Sequence, residues 1–122
     1  QHLPGAFLIY KADPENDQIL FANQELVTYA GCKNLDEFMQ YSKHSFRNLI
    51  RSDEQEAVEK SIWQQIRSQA DGTNDFVQFH FVKKDGSTHP VLDHGRIVES
   101  NYYGNVFYVL IMDCQLLDEH YD

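Results

Sequence analysis

Two histidines and one aspartate, His80, His89 and Asp93, stand close enough in the sequence to share a metal ion. Imidazole nitrogens and carboxylate oxygens are common ligands of divalent cations. In the strand register that the intervening turn predicts, His80 and His89 are diagonal neighbours on one sheet face, and Asp93 lies further along it. That face is expected to meet solvent or a second copy of the chain. We therefore predict no metal site.

The sequence contains no pattern typical of catalysis: no nucleophile with a base and an orienting group, no paired-carboxylate motif and no glycine-rich phosphate loop. Asp53, Glu54 and Glu56 are interpreted as charges at the start of a helix. Cys32 and Cys114 show no disulfide or zinc-binding spacing, which favours unreactive thiols in a reducing cytoplasm. We predict that this domain alone is not an enzyme.

The size and charge of the chain restrict its class. With 122 residues, of which 42% are hydrophobic, the chain is sized for a single core. The net charge of −9 opposes attraction to nucleic acid or to an anionic membrane surface. The longest apolar run, residues 106–112, is far shorter than the ~20 residues of a membrane-spanning helix. We expect a cytoplasmic domain that contacts neither nucleic acid nor membrane directly.

The apolar spacing predicts strands at both ends of the chain and helices between them. Residues 6–10 and 18–22 flank a turn-forming stretch and predict a hairpin. Short helices are expected after Asn23 and Asn34, and a longer helix capped by Ser52 with Gln55 completing the capping box. Three further strands follow from Phe76 onward. This order predicts an α+β domain whose five-stranded antiparallel sheet carries the helices on one face.

The turn at Asp85-Gly86 sets the predicted register of the next two strands. With these two residues at its centre, one face, expected to be the core side, carries Val77, Phe79, Phe81, Pro90, Leu92 and His94. The opposite face would carry Gln78, His80, Val82, His89, Val91 and Asp93. The last strand, residues 106–112, is apolar on both sides, which predicts a central strand with both faces covered. A homodimer through the uncovered sheet face is the simplest cover, and a segment N-terminal to Gln1 could do the same.

Four segments together resemble the PAS domain of the bacterial sensory-box type: residues 4–10, 19–23, 46–54 and 79–87. The resemblance implies a sensory module in residues 1–113 that binds a small ligand or a partner. It also implies that residues 114–122 begin a connector to an effector domain in the same chain, most similar to those of GGDEF and EAL proteins, which make or degrade cyclic-di-GMP. The alternatives are the PAS module of a histidine kinase, a ligand-free dimerisation module, or a small α+β enzyme.

The resemblance also bears on cofactors. Photoreactive flavin-binding relatives need a Cys followed by Arg-Phe-Leu-Gln, and residues 43–49 contain no Cys. Haem-binding relatives usually bind iron through a His in the long helix, and residues 53–69 contain none. His44, just before that helix, is interpreted as a surface or hydrogen-bonded histidine. We expect neither flavin of the photoreactive type nor haem, and the cofactor is otherwise unknown.

Ligand pockets are mainly apolar with a few polar groups. His94, on the predicted core side, is the candidate polar anchor. The full set of candidate pocket residues is Phe38, Phe46, Trp63, Phe79, Phe81, Leu92, His94 and Tyr108.

One further pair is predicted to transmit the signal. Relatives often have Arg-Trp after the Asp-Gly turn, where this chain has His89-Pro90, and their exit motif Asp-Ile-Thr begins here as Asp113. A His89–Asp113 pair would be charged only while His89 is protonated, so its contribution would depend on pH.

Overall fold

The computed structural model describes residues 5–69 and 72–115. Its strands are β1 Ala6–Lys11, β2 Ile19–Ala22, β3 Asn74–Val82, β4 Thr88–Ser100 and β5 Gly104–Asp113, and its helices are α1 Gln24–Tyr29, α2 Leu35–Ser42 and α3 Gln55–Ser68. The strands pair antiparallel in the order β2-β1-β5-β4-β3. This confirms the α+β fold and the central position of β5. No helix within the described residues is long and apolar enough to span a membrane.

The helix caps agree with the sequence for α1 and α2 but not for α3. Asn23 accepts a hydrogen bond from the backbone of Leu26, and Asn34 accepts one from Glu37. The expected cap at Ser52 is wrong, because residues Ser52–Glu54 form a 3-10 turn and α3 begins at Gln55. The Gln55 side chain instead donates to two backbone carbonyls of the preceding segment, which holds the turn in place.

The register between β3 and β4 differs by one residue from the predicted register. Phe81 pairs with His89 and Val77 with Asp93, because the connection is longer than a two-residue turn. The backbone N–H of Gly86, whose φ is +89°, donates to the carbonyl of Lys83. This geometry is typical of a three-residue hairpin connection with a bulge. A slip of one residue exchanges the two faces of a strand. His89 and Asp93 therefore lie on the helix-covered face, and Leu92 and His94 lie on the open face.

The outer edge of β3 is closed by side chains from α3 and from the residue that follows it. The backbone N–H of Phe76 donates to Gln65 Oε1 at 2.8 Å, and Gln65 Nε2 donates back to the Phe76 carbonyl at 2.8 Å. Gln69 makes the same reciprocal pair with the backbone of Asn74. These amides occupy the groups that an added strand would need, so this edge is protected from edge-to-edge pairing.

Candidate functional site

A cavity of about 240 Å³ lies between the β1–β2 turn and α3. Its apolar wall includes Tyr10, Phe46, Ile62 and Trp63. The Tyr10 and Phe46 rings stack at 4.2 Å between centroids, and Phe107, behind them, contacts both Tyr10 and Trp63. Two of the candidate pocket residues, Phe46 and Trp63, thus line a cavity large enough for a small metabolite.

Charged side chains surround the mouth of this cavity. Asp17 accepts hydrogen bonds from the Ser45 hydroxyl and from the Arg47 backbone, both at 2.8 Å, so its position is fixed. Burial raises the pKa of the Glu59 carboxyl above its usual value. Arg47, whose Nε lies 3.6 Å from Glu59 Oε2, offsets only part of this rise. Asp13, Lys60 and Arg67 complete the charged lining. Both signs of charge are therefore available to a polar ligand at the mouth.

The other candidate pocket residues lie elsewhere. Phe38, Phe79 and Phe81 are buried in the core and do not line this cavity. The predicted core-side position of Leu92 and His94 is wrong because of the register, and His94 stacks on Phe76 and bonds to Asn74 on the open face.

Tyr108 is also on the open face rather than in the core. Its side chain is 42% exposed and meets Phe7 edge to face at 5.7 Å. It belongs to a broader set of exposed rings and aliphatic side chains on or beside the sheet, namely Phe21, Phe76, Tyr108 and Leu110. No described helix covers this face of the central strand.

The register also separates the three residues considered as metal ligands. His80 lies on β3, the edge strand of the sheet, and its Nδ1 is 2.9 Å from Glu54 Oε2. Asp93, in contrast, is buried on the helix-covered face. Within residues 5–69 and 72–115, no group of three or more His, Cys, Asp or Glu side chains could hold a metal ion.

Asp113, at the end of β5, connects α1 to the segment that follows the sheet. The Tyr29 hydroxyl donates to Asp113 Oδ2 at 2.7 Å, and the backbone of Gln115 donates to Asp113 Oδ1 at 2.8 Å. His89 Nδ1 is 4.0 Å from Asp113 Oδ2, too long for a hydrogen bond but within range of an ion pair. Burial, with the hydrogen bond to Asp113, raises the pKa of Tyr29.

Sequence reasoning did not find Tyr29. It stands 84 residues from Asp113, and a tyrosine near the end of a short helix has no spacing that points to a distant strand. Its ring lies edge to face with Phe81 at 5.3 Å, and Lys83 Nζ lies 4.4 Å from the ring centre. These contacts place the hydroxyl at Asp113.

A family model described as the PAS fold matches residues 19–111, about three quarters of the chain. The chain belongs to the PAS family. PAS domains are sensory modules rather than catalysts, so this domain by itself is not an enzyme. No curated protein matches the chain.

Solved structures of PAS domains share the fold at low sequence identity. A PAS domain of an HTR-like protein from Haloarcula marismortui is 17% identical, with a TM-score of 0.65 over 90% of this chain and 81% of that one. A PAS domain from a two-component sensor histidine kinase is 14% identical, with a TM-score of 0.64 over 89% and 84%. The PAS domain of the fruit-fly ELK potassium channel is 13% identical, with a TM-score of 0.60 over 89% and 85%.

Proposed function

We propose that this PAS domain binds a small molecule in the cavity between the β1–β2 turn and α3 and relays binding to a C-terminal effector through Asp113. The observation that carries the relay is the position of Asp113, whose two carboxylate oxygens hold Tyr29 of α1 and the backbone of Gln115. A change in α1 therefore reaches the segment after the sheet through a single side chain. Residues 116–122 of the expected connector lie outside the described residues.

The effector we propose is a diguanylate cyclase of the GGDEF type or a cyclic-di-GMP phosphodiesterase, supported by the sequence resemblance alone. A histidine kinase is the second candidate, because a PAS domain from such a kinase is among the structural neighbours. We also propose a cytoplasmic location, where a reducing environment would keep Cys32 and Cys114 as thiols rather than as a disulfide.

We further propose that the domain forms a homodimer through the open sheet face. Phe76, Tyr108 and Leu110 expose large apolar surfaces there, with exposed fractions of 54%, 42% and 37%. Large apolar side chains exposed together on one sheet face are typical of protein interaction sites. A second copy would cover it without any further element.

Native mass spectrometry of the purified chain tests ligand binding. We expect a bound small molecule that is released on denaturation, and we expect Ile62→Trp to abolish it because the larger ring fills the cavity beside Trp63. The matched control is Tyr102→Trp at an exposed hairpin tip, which should retain the ligand. A folded wild-type chain that carries nothing and is dimeric in the same spectrum would contradict ligand binding and favour the ligand-free dimerisation module.

Hydrogen–deuterium exchange tests the relay. Tyr29→Phe removes the donor to Asp113 but keeps the ring, so we expect the Gln115 amide to exchange at least several-fold faster, since a bond to a charged group contributes ~1.5–3 kcal/mol. Tyr103→Phe, an exposed tyrosine, should leave that rate unchanged. Equal exchange at Gln115 in wild type and Tyr29→Phe would show that Asp113 does not couple the two segments.

A further inference from the structure

Two carboxylic acids lie in the core on the helix-covered face of the sheet. Asp75 and Asp93, here called the acid pair, each have an exposed fraction of 1%. Asp75 pairs across the strands with Gly95, two residues from Asp93, so the two side chains are diagonal neighbours. Their positions are not part of the cavity or of the relay described above.

Gly95 lets the two carboxyl groups meet. Asp75 Oδ2 lies 2.6 Å from the place where a Cβ at residue 95 would stand, so the Asp75 carboxyl occupies the space above the glycine. In this position it is within hydrogen-bonding reach of Asp93. A side chain at position 95 would therefore force the Asp75 carboxyl to shift.

Apart from each other, the two carboxyl groups have no hydrogen-bond partner among the described residues, and all four of their oxygens are buried. Two ionised carboxylates in contact inside a core would suffer both desolvation and mutual repulsion. A carboxylic acid that keeps its proton can donate it to the neighbouring carboxylate. One shared proton therefore satisfies both groups and removes one of the two charges.

Among residues 5–69 and 72–115, the groups that face the acid pair do not supply a compensating positive charge. On β1, the pKa of the buried Tyr10 is raised mainly by burial and to a smaller extent by nearby carboxylates. These carboxylates are Asp93, Asp75, Asp17 and Glu59. Asp17 belongs to the β1–β2 turn and Glu59 to α3. From β5, the inward-facing neighbours are the apolar Val109 and Ile111. Each of these surroundings favours retention of a proton.

We propose that the acid pair is a proton-binding site, in which the two carboxyl groups share a proton and loss of protons from the pair destabilises the folded domain. Burial raises the pKa of Asp75 to about 7, and burial together with Asp75 raises the pKa of Asp93. An unfolded Asp ionises near pH ~4. Because both pKa values in the folded state lie above this, the folded pair holds protons between pH ~4 and pH 7 that the unfolded chain releases. Stability is therefore greatest below pH ~4 and falls as the pH rises toward 7.

Carbon-13 NMR of the aspartate side chains in the whole 122-residue chain tests the site directly. We expect at least one carboxyl carbon of the acid pair to change its shift near pH 7, while the exposed Asp36 serves as the internal reference. The proposal is overturned if both carbons of the pair have reached their ionised shifts by pH 5.

Asp75→Asn combined with Asp93→Asn removes both titrating groups and keeps their shape and a mutual hydrogen bond. Relative to this variant, the unfolding equilibrium constant of the wild type should rise by about 1,000-fold or more between pH 4 and pH 7, because Asp75 alone, with its pKa near 7, gives up to about 1,000-fold and the raised pKa of Asp93 adds to it. Asp36→Asn should keep the wild-type pH dependence. Parallel pH profiles for the wild type and the double variant would contradict the proposal, and if the double variant does not fold, the NMR titration decides.

Discussion

Replacing Phe107 by Ala is expected to lower the free energy of unfolding by about 3–5 kcal/mol. Phe107 is fully buried on the central strand, and its ring centre lies 5.1 Å from that of Tyr10 and 5.5 Å from that of Trp63. Because the sheet holds one neighbour and α3 holds the other, the space cannot close without moving the helix. Urea unfolding measures the loss, which is a large part of the ~5–15 kcal/mol typical of a domain.

The neighbouring Tyr108 is the matched control, since it lies on the same strand but points to the open face. Tyr108→Ala should cost roughly 1 kcal/mol or less in the monomer, because a half-exposed ring leaves no closed cavity. The same variant should shift the monomer–dimer equilibrium toward monomer if the open face is the dimer interface. Similar losses of stability from both substitutions would mean that the two faces are not packed as described.

Gly95→Ala is expected to lower the free energy of unfolding by about 1–3 kcal/mol, the usual cost of forcing extra volume into a packed core. The new methyl group would stand 2.6 Å from Asp75 Oδ2, closer than two such atoms can approach. To relieve the overlap, the Asp75 carboxyl must move away from Asp93. Thermal or urea unfolding at pH 5, where the shared proton is in place, gives the cost.

A double-mutant cycle with Asp75→Ala identifies the cause of that loss. Without the Asp75 carboxyl the space above residue 95 is free, so Gly95→Ala should cost much less in the Asp75→Ala background. Additive losses would place the strain in the backbone of β4 instead of in the contact with Asp75.

Much of the fold follows from local pattern. The hairpin of β1 and β2, the caps at Asn23 and Asn34, and a last strand apolar on both sides were all readable from neighbouring residues. Such signals depend on interactions within a few positions of each other, and the ordered set is what identified the PAS resemblance. The cavity residues Phe46 and Trp63 were likewise among the large rings expected near a pocket.

The candidate site was predicted less well, for a specific reason. The Asp85-Gly86 pair indicates a turn but does not state its length, and the three-residue connection around Gly86 shifts the register by one. That shift moved His94 from the expected core side to the open face and moved Asp93 into the core. A period of two predicts which residues share a face, not which face is covered.

The order of strands and helices, the single core and the PAS resemblance all follow from the pattern of neighbouring residues. The meeting of Asp75 and Asp93 over Gly95, and the contact of Tyr29 with Asp113 across 84 residues, are visible only in the packed domain. Strand and helix formation is governed by nearby residues, whereas burial and contact between distant side chains are set by how the finished sheet and helices pack together.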